Sequence, residues 1–254
     1  MTISTISPRH SAMRTAVATE VRLFGREPAS LAWGFVLPLI AFVVLACVPG
    51  IKRPSADLHG ASYAQVYQSI IILLATAILG IVALPPVLGA YRERGVLRRL
   101  AVTPLAPTRI LSVQMIIHFG LAVLTAVAVL VVGGVAGIGP GGQFVGWAVA
   151  FLLTAAALLG LGLLIAAVAP NARVAGAIGG VLFFPMMFSA GLWIPRQTMP
   201  DLMRTICDWT PLGAANRAMS GAVVGVFPSW ATLLVLAGYA AVFGRLAVRS
   251  YRWD

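Results

Sequence analysis

Residues 91–100, Tyr-Arg-Glu-Arg-Gly-Val-Leu-Arg-Arg-Leu, put four arginines and one carboxylate into ten positions of a chain that is 60% hydrophobic and 10% charged. A set this polar in so apolar a chain is suited to docking a polar partner. Wound as a helix at about 100° per residue, Val96, Leu97 and Leu100 share an apolar arc with Glu93 inside it. Arg94 and Arg98 flank one side of that arc, and Arg92 and Arg99 flank the other. A plainer reading is a juxtamembrane arginine patch that orients helices and attracts anionic lipid. That reading accounts for the arginines. It leaves Glu93, Gly95 and the stop at Thr103-Pro104-Leu105 without a role.

Other chemistry is hard to find. No HExxH sequence, GxSxG turn or paired aspartates occur, and His10, His59 and His118 lack the spacing of metal ligands. Neither a catalytic set nor a metal site is expected. No GxxxxGK[ST] sequence is present, and the one lysine is Lys52. Energy for any uphill movement must therefore come from another chain. The net charge of +11 raises the question of nucleic acid, but arginines placed at the ends of apolar runs are explained by membrane topology instead.

The elements that must position the cluster follow from hydropathy. A mean hydropathy of +0.96 over 254 residues exceeds what a soluble core buries. Runs of about 20 apolar residues match a hydrocarbon layer about 30 Å thick. Six spans are expected, at residues 29–48, 66–88, 110–132, 143–169, 174–194 and 230–248, giving an all-α integral membrane protein. Thirteen of the eighteen basic residues then fall on one side, which the positive-inside rule assigns to the cytoplasm together with both termini. Trp147, Trp193 and Trp230 would anchor the outer interface, and Trp33 and Trp253 the inner one. All seven acids lie outside these spans, which argues against proton- or sodium-coupled transport. The first 28 residues lack the compact apolar core of a cleaved signal peptide. Met13, Ala16, Val17, Val21 and Phe24 form one arc there, so residues 11–26 are expected as an amphipathic helix in the inner interface, with a basic tail as the alternative. The domain plan is a cytoplasmic tail with interfacial helix at 1–28 and a transmembrane domain at 29–254.

Within the spans, Thr76, Gln114, His118, Thr125, Phe184, Met187 and Phe188 could line a cavity, although helix packing explains each equally well. Met199, Leu202, Met203, Ile206 and Trp209 recur at helical spacing between Pro200 and Pro211, which would start and stop a short helix. Gly160-Leu161-Gly162 and Gly176-Ala177-Ile178-Gly179-Gly180, with Gly176 and Gly180 in GxxxG register, suit close helix packing. Pro38 and Pro185 would kink or hinge their spans. Cys47 and Cys207 both fall toward the outer face, and unpaired thiols are the simpler reading.

The run from Tyr91 to Leu100 and its Thr103-Pro104-Leu105 stop resembles the cytoplasmic signature of type-2 ABC permeases, the membrane subunits of ATP-binding-cassette exporters. Gly191-Leu192-Trp193-Ile194-Pro195, Met199-Pro200 and Thr210-Pro211-Leu212 resemble that family's outer segment between its fifth and sixth spans. The likeness is greatest to drug-exporter permeases of the daunorubicin-resistance type. It implies a cytoplasmic coupling helix at about 89–102 that docks on the ATPase, with Tyr91, Arg92, Glu93, Arg94, Gly95, Leu97, Arg98, Arg99, Leu100 and Pro104 as coupling residues. It implies an N-terminal elbow helix and an outer gate segment at about 195–228, with Trp193, Pro195, Met199, Leu202, Met203, Ile206 and Trp209 as gate residues. The implied partners are an ABC ATPase subunit carrying ATP and magnesium, a second permease copy or paralogue, and membrane lipid. The implied setting is a bacterial cytoplasmic membrane and a hydrophobic or amphiphilic drug-like or lipid-like cargo. Export of a lipid-linked polysaccharide and a non-transporting scaffold stay open as alternatives.

Overall fold

The computed structural model of the chain describes residues 31–94 and 108–250, and among them the regular structure is helical throughout. Eight helices follow in order: α1 Ala32–Ala46, α2 Tyr63–Glu93, α3 Thr108–Val135, α4 Phe144–Val168, α5 Ala172–Ser189, α6 Asp201–Asp208, α7 Pro211–Val223 and α8 Trp230–Ser250. Helices α2, α3, α4, α5 and α8 are long and apolar enough to cross a membrane. Helix α1 is as apolar but 15 residues long, about 22 Å of rise. The expected elbow helix at 11–26 lies outside the described residues, as does Trp253.

Helix ends are set by local chemistry. Helix α2 starts three residues before the expected span because Ser62 forms a capping box: its Oγ accepts from Gln65 N–H at 3.3 Å, and its own N–H donates to Gln65 Oε1 at 2.9 Å. Its 31 residues rise about 46 Å, so its last turn projects beyond a bilayer core. Helix α5 ends at Ser189 and not near 194. Gly191 adopts φ 82°, Leu192 N–H donates to the Met187 carbonyl and Gly191 N–H to that of Phe188, a Schellman stop that a hydropathy window does not register.

Helix α2 is the centre of the bundle. Of its apolar window 72% is buried, against 22% for α5 and for α8, whose outer faces expose Val181, Leu234 and Val248. Helices α4 and α8 lie along each other, and α7 packs on α4, α8 and α2. Midway along α2 the helix widens into a π-helical stretch, Ile78–Ala83, just before Pro85 and Pro86. Two glycines close on that stretch. A Cβ at Gly162 of α4 would overlap the Gly80 carbonyl oxygen, and one at Gly179 of α5 would overlap that of Ile81. Of the glycines expected to suit close packing, Gly162 and Gly179 make it within the chain, whereas Gly180 faces open space. A similar π-helical turn, Ala32–Val36, precedes the buried Pro38 in α1, whereas Pro185 sits inside a continuous α5.

Trp147 is not an interfacial anchor. It is 3% exposed, stacks on Phe151 and donates from Nε1 to Ser69 Oγ at 3.0 Å. An indole with a buried hydroxyl acceptor gains more from the core than from the headgroup region. Trp33, Trp193 and Trp230 are exposed, as anchors would be.

Candidate functional site

The charged end of α2 is tied to its own chain. Arg92 donates from Nη2 to the Ala169 carbonyl, and Glu93 Oε1 accepts from the Ala172 N–H at 2.8 Å. The acceptor closes the end of α4 and the donor is the first residue of α5. Asn171 caps the same helix, its Oδ1 accepting from Val174 N–H at 2.8 Å. Glu93 therefore adds an anion to the positive end of α5, where N–H groups lack intrahelical partners. The approach is close enough to need glycine: a Cβ at Gly89 would stand 2.8 Å from Ala172 Cα. Helix α3 joins through Gln114, whose Nε2 donates to Tyr91 Oη at 3.2 Å. Beside this knot lies a cleft of about 550 Å³ bordered by Arg92, the 167–170 backbone and Arg249 of α8.

Of the coupling residues expected from sequence, Tyr91 and Arg92 are thus half-buried and Glu93 and Arg94 exposed at the end of α2. Gly95, Leu97, Arg98, Arg99, Leu100 and Pro104 lie outside the described residues. The arc on which Glu93 was placed next to Val96 and Leu97 does not convey what its carboxylate does here. It bonds a backbone N–H 79 residues away.

The opposite end carries the expected gate segment. A short helix does form between Pro200 and Pro211, with Leu202, Met203, Ile206 and Trp209 exposed along α6 and Met199 buried beneath it. Trp193 is exposed and Pro195 half-buried. Not foreseen was α7, the next thirteen residues. Thr210 caps it by accepting from Gly213 N–H at 3.1 Å, Pro211 opens it, and Leu212, Ala214, Ala215 and Met219 are buried in the core. The Thr-Pro dipeptide was the available signal. Also unforeseen is an ion cluster: Asp208 Oδ1 pairs with Arg196, and Asp208 Oδ2 lies 3.4 Å from Arg217 Nη1. Cys207 and Cys47 are both free thiols; burial pushes the Cys207 thiol up, with Arg196 opposing and Asp208 adding to the shift. A cavity of about 210 Å³ opens between α2, α7 and the turn at Arg196.

The seven expected cavity residues are not gathered into one wall. Thr76 and Thr125 bond to the carbonyls of Ile72 and Leu121 on their own helices. Gln114 and His118 are buried, with His118 Nδ1 2.9 Å from the Gln114 carbonyl oxygen. Met187 is fully buried while Phe184, on the same helix, is exposed and Phe188 half-buried. Neither cavity above touches any of the seven.

The amino-acid sequence that folds this way matches known proteins. Residues 11–224 match the family described as ABC-2 type transporter. The chain belongs to that family. It is a multi-pass membrane permease subunit of an ABC transporter, and the family implies a separate ATP-binding subunit as partner. Among curated proteins, it is 24% identical over 227 residues to YvfS of Bacillus subtilis (strain 168), named for a transport permease, covering 88% of this chain and 90% of that one. It is 33% identical over 75 residues to the daunorubicin resistance ABC transporter permease protein DrrB1 of Streptomyces coeruleorubidus, 28% of this chain and 26% of that one. No solved structure matches the chain.

Proposed function

We propose that this permease is the membrane half of an ATP-driven exporter that moves a hydrophobic or amphiphilic molecule out of the cytoplasm or inner leaflet of a bacterial cytoplasmic membrane. A separate ATPase docks on residues 89–102 and supplies the energy. The observation that carries the reading is the double tie of Arg92 to Ala169 and Glu93 to Ala172, because it links the charged segment to α4 and α5 as well as to α2. The excess of arginine at that end supports a cytoplasmic setting for it. Six spans, an elbow helix and pairing with a second permease copy complete the proposed assembly, since one bundle of this size seldom encloses a drug-sized path. Likeness to a daunorubicin-resistance permease over part of the chain supports an amphiphilic drug or lipid-like cargo.

The test is reconstitution of the permease with a candidate ATPase in lipid nanodiscs. A stable complex whose hydrolysis rate changes with an amphiphilic cargo is the expected outcome. Failure of any candidate ATPase to bind, with the permease folded, would overturn the export reading in favour of a scaffold.

A further inference from the structure

The 210 Å³ cavity at the Asp208 end has a chemistry of its own. Its walls include Arg196 and Arg204 but no acid. Arg196 spends one Nη on Asp208, and its other, Nη1, is buried without a protein acceptor among the described residues. Arg204 gives Nη2 to the Met199 carbonyl at 2.9 Å, and its Nε is likewise buried and unmatched. The one acid near Arg204 is Asp201 at 3.5 Å, and that carboxylate is 96% exposed, so water screens the pair. Three arginines, 196, 204 and 217, thus meet two aspartates, 201 and 208, and the surplus cation lies at the cavity. Buried guanidinium N–H groups without acceptors are costly, and an anion relieves that cost.

The other wall is apolar and aromatic. Tyr63, Tyr67 and Ile70 stand at i, i+4 and i+7 on the first turns of α2 and share one face. Tyr63 is partly exposed at the mouth, while Ile70 and Asn216 are buried. Asn216 accepts from Ser220 Oγ at 2.9 Å through Oδ1, which leaves its amide N–H2 as the donor half, on the side of Gly191. The volume is below the roughly 300–1,000 Å³ of sites that enclose a drug-sized ligand. It suits a headgroup and the first carbons of a chain.

We propose that this cavity binds the anionic headgroup, phosphate or carboxylate, of an amphiphile whose tail leaves past Tyr63. The binding stands by itself; naming that amphiphile as cargo rests on the export reading above, which places the cavity on the outer side. The test uses the purified full chain in neutral detergent without ATPase, with dioctanoyl phosphatidic acid, octanoate, decyltrimethylammonium and inorganic phosphate as probes. Melting temperature is followed against probe concentration. A saturable upward shift with at least one anionic amphiphile is expected, and whichever headgroup binds tighter names the source. Arg204→Gln should weaken it about tenfold, the loss of one charge-assisted contact. Val66→Trp, which fills the cavity and leaves both arginines in place, should abolish it. An equal shift with decyltrimethylammonium, an equal shift with inorganic phosphate alone, or unchanged binding in Arg204→Gln would overturn the site. With ATPase present, a probe that binds the wild type without altering hydrolysis overturns its identification as cargo and leaves the site standing.

Discussion

Glu93 offers the sharpest separation of a structural role from a coupling role. In the structure its carboxylate makes one hydrogen bond among the described residues, at 2.8 Å to the Ala172 N–H, and the side chain is exposed. Glu93→Gln keeps an acceptor and removes the charge from the start of α5, a loss of about 0.3 kcal/mol, the low end for an exposed helix-end charge. Glu93→Ala removes the acceptor as well, and by analogy with helix caps costs about 1 kcal/mol, with Asn171 still in place. For a chain of this size 1 kcal/mol corresponds to about 2–4 °C in melting temperature. Uncoupling is a different scale: a tenfold loss of cargo-dependent hydrolysis is about 1.4 kcal/mol in the transition state, with no equal loss of fold. We expect Glu93→Ala to melt within about 4 °C of wild type and to lose at least tenfold in cargo-stimulated hydrolysis by the reconstituted complex. Glu93→Arg, which adds a cation to the helix N-terminus beside Arg92, should uncouple fully. Intact coupling in Glu93→Ala would refute the lever assignment, and a melting loss above about 10 °C would refute the single-bond estimate.

Three further outcomes follow from the packing. Gly162→Ala and Gly179→Ala should each cost about 1–3 kcal/mol in detergent melts because the added methyl meets a backbone carbonyl, whereas Gly180→Ala should be neutral. Asp208→Asn should cost about 1–3 kcal/mol by leaving the mostly buried Arg196 unneutralised, while Arg217→Gln, at the long and exposed side of the same carboxylate, should cost no more than about 0.5 kcal/mol. In a Cys47→Ser background, maleimide labelling of Cys207 followed by mass spectrometry should be slow at neutral pH and rise only above the ordinary thiol range, since a raised pKa keeps the thiol protonated to higher pH.

The spanning helices were legible because hydropathy integrates over about 20 residues, longer than any local exception. Helix α7 was not, because Asn216, Arg217 and Ser220 break its hydropathy and thirteen residues are too few to span, although Thr210-Pro211 marks its start. Trp147 was misassigned for a related reason. Position near a boundary says nothing about whether a hydroxyl such as Ser69, 78 residues away, waits to accept the indole N–H. At the charged end, sequence spacing puts Glu93 on an arc with Val96 and Leu97, whereas its bond is to a backbone amide on another helix. Backbone donors have no letter in a sequence, so such ties become visible only when the chain is folded.

That tie also changes what a push at the charged end would move. A loop joining the second and third spans suggests that those two helices tilt together. In the fold, α3 meets α2 through the Gln114 to Tyr91 bond, through the apolar cluster of Leu84, Leu88 and Leu111 and, farther along, through Gln68 Nε2 donating to the Val129 carbonyl at 3.3 Å. Helix α5 meets it through Glu93, through backbone contact at Gly89 with Ala172 and, farther along, through Gly179 against the π-helical stretch. Helix α4 adds Gly162 against the same stretch and receives Arg92 at its end. Backbone-to-backbone contacts resist sliding because no side chain can change rotamer to relieve them. In the exporter proposed above, a force at Arg94 would therefore reach α4 and α5 as well as α3. Helix α2 would carry such a displacement to its far end, where Tyr63, Tyr67 and Ile70 form a wall of the arginine cavity.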